Sequence, residues 1–325
     1  MAARNPMPRQ RLTIFSAAER RYCEPLLRGF AERHPDIDID FVFGISTDLH
    51  RRFLNEEASG GPVADLFWSS AMDQQMGLVL DGHAQPHGLR HDLPPAAAYR
   101  DLAVATTCEP IVTLTRDAAA HAGAPAEIAA LIRSDVRRFR GRVTVPDIES
   151  NGLGFLAMLW WASKDAAFDG FLDALSLCTP RAAGSAPELI AAVAEGGELA
   201  LHLLGAYAVR AVAADPTLKI APSAASPMAV ARLAFIPRRA ANPEAASLFL
   251  GYLLSPEGQT AIGEAGLFPI HAKHERATAP VPLDESFLQL LDPAFRASVL
   301  ARWRAALGRA QHQNQNQDRN RRKQV

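Results

Sequence analysis

Small hydroxyl residues recur in this chain at one kind of position, between the end of a strand-like run and the start of a helical pattern. Ser16 follows such a run, with Glu19 three residues on. Ser46 and Thr47 open the next helical pattern, and Ser69 and Ser70 the one after, with Asp73 three beyond Ser70. Later, Ser150-Asn151-Gly152 precedes a helical stretch and Ser185 precedes Glu188. In a parallel sheet such turns gather at the carboxyl edge, where ligands collect. Helix starts there offer N–H groups without intrahelical partners and a partial positive charge, a setting that suits carboxylate or phosphate. Each serine taken alone is also an ordinary helix cap, and Ser with Glu or Asp three residues on reads as a capping box. The clustering of the set on one rim, rather than any single member, points to an anion.

Other chemistries find little support. The chain has no G-x-S-x-G elbow, no phosphate-binding Walker loop, no H-E-x-x-H and no dinucleotide fingerprint, so no catalytic residue and no cofactor is expected. Asn151-Gly152-Leu153-Gly154 holds one G-x-G, which close backbone approach at a helix start explains. His83, His87 and His91 are four apart, a metal-binding face if helical, but Pro86, Gly88, Pro94 and Pro95 make the stretch a solvated loop with no metal expected. The three cysteines, Cys23, Cys108 and Cys178, lack ligand or redox spacing, although one pair is able to form. Trp160 and Trp161 are adjacent, so one packs inward and the other does not.

The elements that hold the hydroxyls are legible from periodicity. Leu12–Phe15 reads as a strand, and Cys23, Leu26, Leu27 and Phe30 recur at helical spacing up to Pro35. Ile37–Phe43 alternates apolar with acidic residues as a half-buried strand, and Leu49, Phe53 and Leu54 stripe a helix that stops at Ser59-Gly60-Gly61-Pro62. Ala64–Trp68 is a third strand, and Met72, Met76, Val79 and Leu80 mark a third helix. This β-α-β-α-β-α order predicts a parallel sheet with helices on both faces. Strands are expected near Ala103–Leu114, Val143–Pro146, Leu199–Leu203, Lys219–Ala221 and Val230–Ile236. Helices are expected through Leu153–Trp160, over Glu188–Ala194 and Pro243–Leu254, and as a pair over Phe287–Leu307. Beyond Ala310 the polar tail QHQNQNQDRNRRKQV has nothing to bury, and disorder is expected.

At 325 residues the chain suits two domains. With Lys+Arg 34 against Asp+Glu 35, net charge −1, it has no electrostatic reason to bind nucleic acid or an anionic membrane. Attraction for an anion must come from a local site. No apolar run approaches a membrane span, and the first ten residues, MAARNPMPRQ, show no apolar signal core.

Five stretches, in order, resemble the bacterial extracellular solute-binding proteins of ABC transporters, of the iron and organic-anion type. They are LTIFSAAERRYCEPLLRGFAERHPDIDIDF, STDLHRRFLNEEASGGPVADLFWSSAMDQQMGLVLDG, PDIESNGLGFLAM, GELALHLLGAYAVRAVAADPTLKI and RLAFIPRRAANPEAASLFLGYLLSPEGQTAIGEAGL. The likeness runs from about Arg11 to Pro269. It implies an α/β, two-lobed type-II periplasmic-binding fold, with mixed, mainly parallel sheets, helices on both faces and hinge crossings between the lobes. Lobe 1 is expected from 11–104 and 229–310, lobe 2 from 105–228, and a disordered tail over 311–325. By position, the resemblance places Ser16, Ser46, Thr47, Ser69, Ser70, Ser150, Asn151, Gly152 and Tyr207 at the ligand. Arg232, opening the returning strand, offers a bidentate fork to an anion or, equally, a surface or interlobe salt bridge. Ferric-binding relatives use two consecutive tyrosines, whereas the matching Gly205-Ala206-Tyr207 has one, which favours a phosphorylated or carboxylated organic solute over iron. His50, where the family commonly has tyrosine, reads as structural. The implied partners are a small anionic solute and a membrane permease or, alternatively, a sensor kinase ectodomain, with a monomeric, periplasmic, non-enzymatic protein expected.

Overall fold

The computed structural model describes residues 9–61, 63–117, 119–164, 166–223, 228–270 and 281–322. The chain divides into two compact units, Met1–Cys108 with Ala231–Ala272, and Glu109–Val230 with Lys273–Val325. Unit 1 opens with β1 (Gln10–Ser16), α1 (Arg20–Arg33), β2 (Ile37–Phe43), α2 (Ser46–Ser59), β3 (Leu66–Ser69) and α3 (Met72–Leu80). The short strands β4 (Ala84–Gln85), β5 (Ala98–Tyr99) and β6 (Ala103–Ala105) follow. The chain then enters unit 2 with β7 (Glu109–Thr115), α4 (Pro125–Ser134), α5 (Val136–Phe139), β8 (Val143–Pro146), α6 (Gly152–Lys164) and α7 (Phe168–Cys178). Unit 2 continues through β9 (Arg181–Ala183), α8 (Ala186–Ala194), β10 (Leu199–Leu204), α9 (Gly205–Ala214), β11 (Lys219–Ile220) and β12 (Ala229–Val230). It returns to unit 1 as β13 (Leu233–Pro237), α10 (Pro243–Leu254) and α11 (Pro256–Glu264), and ends in unit 2 as α12 (Glu285–Leu288) and α13 (Pro293–Arg322).

Unit 1 is built on a sheet of order β2-β1-β3-β13-β6-β5, with β4 paired to β13. β1 runs parallel to β2 and β3, so all three end at one edge. The alternation of β2 buries Ile37 and Phe41 and leaves Asp38 exposed, while β3 is buried along its whole length, as a central strand must be. The returning β13 inserts antiparallel between β3 and β6, which makes both chain segments necessary to one core. That core is aromatic. Phe30 meets Phe249 at 4.9 Å, and Phe67 lies within 6 Å of Phe15, Phe53 and Phe235. Burying each such ring contributes about 1.5–3 kcal/mol.

Unit 2 has a sheet of order β11-β7-β10-β8-β9, with β12 paired to β7. β8 runs parallel to β9 and β10, and β7 antiparallel to β10. The strand expected as one run near Ala103–Leu114 is two, β6 in unit 1 and β7 in unit 2, and Val230–Ile236 likewise divides between β12 and β13.

The C-terminal part departs from expectation twice. The segment after residue 272 groups with unit 2 rather than with the first lobe. Its reason is a buried stripe, Val299, Trp303, Ala306 and Ala310, together with arginines that meet acids of unit 2: Arg302 with Asp169, Arg304 with Glu149 and Arg309 with Asp173. Second, helical backbone continues past residue 310 to Arg322, where disorder was expected. Once the buried stripe holds the first turns, each further residue adds a hydrogen bond without a new nucleation cost, and Gln and Arg are good helix formers. Residues 323–325 of the tail lie outside the described residues.

Candidate functional site

In unit 1 the hydroxyls stand at the edge where β1, β2 and β3 end. Ser16 is the last residue of β1, paired with Phe43 on one side and Trp68 on the other. Its side chain is fully buried, and its Oγ accepts from the Ala18 N–H at 3.1 Å, which leaves the hydroxyl proton to be donated. Ser46, the first residue of α2, has its Oγ 3.1 Å from that of Ser69, and Ser69 Oγ also accepts from the Ala71 N–H at 3.2 Å. Ser70 is buried beside it, and Thr47 is half-buried one residue into α2. The structure therefore gathers Ser16, Ser46, Ser69 and Ser70 through backbone pairing and one side-chain contact.

These serines are not caps. The N-cap residues of α1, α2 and α3 are Glu19, Ile45 and Ala71, and none makes a side-chain cap hydrogen bond. The capping boxes expected for Ser16 with Glu19 and Ser70 with Asp73 do not form. Ser16 still belongs to the strand, Ser46 already lies inside its helix, and Glu19 turns to Arg21, 2.7 Å away. Ser185 does cap its helix: its Oγ accepts from the Glu188 N–H at 3.5 Å, while the Glu188 carboxylate accepts from the N–H of Gly184, one residue before the cap, at 3.0 Å.

Beside the Ser69 end of β3 lies the arginine candidate. Arg232 directly precedes β13, whose Leu233 pairs with Ser69, and it is only 1% exposed. Its guanidinium lies 5.8 Å from the Trp68 ring centroid. Its N–H donates to Thr107 Oγ1 at 2.8 Å, and its carbonyl accepts from the Thr106 hydroxyl at 2.8 Å, the same oxygen that accepts from Trp68 Nε1 at 2.8 Å. Trp68, Thr106 and Thr107 thus fix the backbone that carries the arginine. A guanidinium out of water is costly and is kept only where something compensates it, and at 1% exposure the surface form of the salt bridge considered for Arg232 does not hold.

Unit 2 presents its candidates at the edge where the parallel β8 and β10 end. Ser150 is exposed and donates to the Asp147 carboxylate at 2.9 Å. Asn151 caps α6: its Oδ1 accepts from the Gly154 N–H at 2.9 Å, while its Nδ2 donates to the Gly184 carbonyl at 3.2 Å. Gly152 is buried at the helix start, and a Cβ on Gly154 would come within 2.4 Å of Pro146, which explains the G-x-G by packing. Tyr207, three residues into α9, is partly buried against the cluster of Leu114, Leu203 and Ala208, with Arg210 5.9 Å from its ring. The N-cap of α9, Leu204, makes no side-chain cap hydrogen bond. Within β10, His202 adopts φ 55° where the pairing register shifts, and burial pushes its imidazole down to about 4.

The histidine loop is not uniformly solvated. His87 is buried, its Nδ1 lies 3.0 Å from Asp101 Oδ1, and burial holds it below the usual range against the pull of that carboxylate. Its backbone carbonyl accepts from Ser247 Oγ of α10 at 3.0 Å. Among the described residues no group of three or more His, Cys, Asp or Glu side chains is placed to hold a metal ion. All three cysteines are buried and none is in a disulfide, so the pair that the sequence left open is not formed, and burial raises Cys178 to about 12. Trp161 packs inward and Trp160 is partly exposed under Lys164, 5.3 Å away. Recesses of about 510 Å³ at Leu89–Leu93 with α11, and of about 280 Å³ around Asp40 and Asp65, are lined by none of the candidate ligand residues.

Residues 12–268 match the family model described as bacterial extracellular solute-binding protein. The chain belongs to that family. A substrate-binding protein of an ABC transporter from Agrobacterium tumefaciens has a similar structure, with TM-score 0.84 at 25% identity over 93% of this chain and 95% of that one. The fructose-6-phosphate-bound periplasmic protein AfuA from Actinobacillus pleuropneumoniae superposes with TM-score 0.72 at 16% identity, over 92% and 99% of the two chains. Iron-bound HitA from Pseudomonas aeruginosa gives 0.69 at 15% identity, over 91% and 99%. No curated protein matches the sequence. The expected type-II periplasmic-binding fold is the one these solute-binding proteins share, and this solute-binding protein has two sheets flanked by helices, as they do. Among its described residues no helix is long and apolar enough to cross a membrane.

Proposed function

We propose that the protein captures a small phosphorylated or carboxylated organic solute for an ABC uptake system outside the cytoplasmic membrane, reversibly and without chemical conversion. One observation carries the reading: the three helices that follow β1, β2 and β3 all begin without a side-chain cap, in the company of the buried hydroxyls of Ser16, Ser69 and Ser70 and the half-buried Ser46. First-turn N–H groups need an acceptor, and an anion supplies one while gaining from the helix dipoles. Serine protons and a buried arginine suit the same charge. Ser150, Asn151, Gly152 and Tyr207 remain ligand candidates through the family resemblance, Asn151 with its amide already engaged in capping. The fructose-6-phosphate-bound relative supports a phosphorylated ligand, and the single tyrosine of Gly205-Ala206-Tyr207 disfavours iron. The chain passes between units at Cys108–Glu109 and Val230–Ala231, where hinge motion is expected to accompany binding. The bound monomer then engages a permease, and a sensor kinase ectodomain is the alternative partner.

A thermal-shift screen against sugar phosphates, phosphoglycerates, di- and tricarboxylates and ferric citrate tests this reading. Ligand at about 100 times its Kd adds roughly 2.7 kcal/mol to stability. A raised midpoint with a phosphate or carboxylate, reduced in Ser69→Ala with Ser70→Ala, is the expected result. A response to ferric iron alone, or turnover of a bound solute, contradicts it.

A further inference from the structure

The two most exposed large apolar side chains among the described residues are Phe43 and Ile45, each 52% exposed, and only Gly44 separates them. They sit at the same edge as the serines. Phe43 pairs with Ser16 in the β1–β2 register, which puts both side chains on one face of the sheet, and the Gly44 N–H donates to the Ser16 carbonyl at 3.2 Å. Phe41, two positions earlier on that face, is buried, so the core ends at Phe41 and Phe43 projects past it. Ile45 is the N-cap of α2 and precedes Ser46, whose hydroxyl meets Ser69.

Both choices run against what the fold alone would select. An N-cap with extended φ −66°, ψ 139° favours Ser, Thr, Asp or Asn, which would stabilise the helix. A half-exposed phenylalanine at a strand end leaves much of its ring in water, and with Ile45 beside it the two make a patch rather than a lone apolar residue. A local rule broken twice within three residues, beside hydroxyls and uncapped helix starts, marks a surface kept for binding.

We propose that the ligand carries an apolar or aromatic ring next to its anionic group, and that this ring packs on Phe43 and Ile45 while the anion meets the serine edge. This rests on the anion-capture reading and narrows it from polyhydroxylated phosphates to aryl or apolar-faced phosphates and carboxylates. Stacking a ring on an aromatic side chain contributes enough for about a tenfold change in affinity.

Isothermal titration with two matched pairs tests it: phenyl phosphate against glycerol 3-phosphate, and phenylacetate against glycerate. The wild-type protein is expected to favour the aryl member of a pair by at least about tenfold, and the double variant Phe43→Ser, Ile45→Ala, which adds no cap to α2, to bring that ratio near one while still binding the polar member. Because both positions are exposed, the variant is expected to fold, and its thermal midpoint checks this. Equal affinity within the pairs, or a preference that survives the double variant, overturns the ring contact and leaves anion capture standing. Silence with all four compounds overturns both.

Discussion

The helix starts of the two units are built differently. In unit 1, α1, α2 and α3 follow parallel strands and begin on Glu19, Ile45 and Ala71 without side-chain caps. In unit 2, α4 begins under Glu127, whose carboxylate accepts from the Gly123 and Ala124 N–H groups at 2.9 and 3.1 Å, while α6 is capped by Asn151 and α8 by Ser185. Only α9 among the helices that follow unit 2's β7, β8, β9 and β10 is known to start without such a cap. A cap adds about 1 kcal/mol, so three omissions in succession forgo stability at one edge of unit 1. On the proposed reading, that stability is given up for amides that a ligand can reach, as functional sites commonly do.

The largest expected effect concerns how unit 2 keeps its stability. His202 is buried and held neutral, with its imidazole lowered from 6.5 to about 4. The unfolded chain takes up that proton first, so the contribution is complete above pH 6.5 and is lost as pH falls toward 4, a change of about 3 kcal/mol. Urea midpoints measured from pH 7 to pH 4 should fall more steeply in the wild type than in His202→Leu. Parallel slopes would show that His202 is not the sensitive group.

Placing a cap where unit 1 lacks one sharpens the contrast. Ile45→Asp puts a carboxylate on the first-turn amides of α2, and should raise stability by about 0.5–1 kcal/mol while weakening glycerol 3-phosphate binding about tenfold or more relative to Ile45→Ala. The alanine control removes the apolar contact alone. Stabilisation without loss of binding would mean that those amides never meet the anion. Conversely, Ser185→Ala removes a cap in unit 2 and is expected to lower stability by about 1 kcal/mol with ligand affinity unchanged. The smallest effect is a negative one: Cys178, raised to about 12 by burial, should not react with a thiol reagent at pH 8 until the protein is denatured.

Much of unit 1 was legible because its patterns are local. The alternation of I-D-I-D-F-V-F marks β2 with its observed bounds, and Cys23, Leu26, Leu27 and Phe30 mark the buried face of α1. In unit 2, α7 was not legible, since Phe168, Phe171, Leu172, Ala174, Leu175 and Cys178 are buried around much of its girth and leave no clean polar face. The distinction between cap and ligand hydroxyl turned on a shift of one residue, Ser46 falling inside α2 rather than before it, which periodicity does not resolve. The setting of Arg232 depends on β13 returning beside β3 and on a hydrogen bond to Thr106, 126 residues earlier, a pairing no local pattern announces. The terminal helix was expected but its place in unit 2 was not, because its stripe acquires meaning only against α7.

The most direct test of the account is an amide chemical-shift titration of isotope-labelled protein with glycerol 3-phosphate and phenyl phosphate in turn. The account predicts that the backbone N–H signals of the first turns of α1, α2 and α3 move most, together with those of Ser16 and Ser69, and that the first turns of the capped helices α8 and α11 stay in place. Shifts confined to the recess at Leu89–Leu93, or to the capped helix starts, would contradict it.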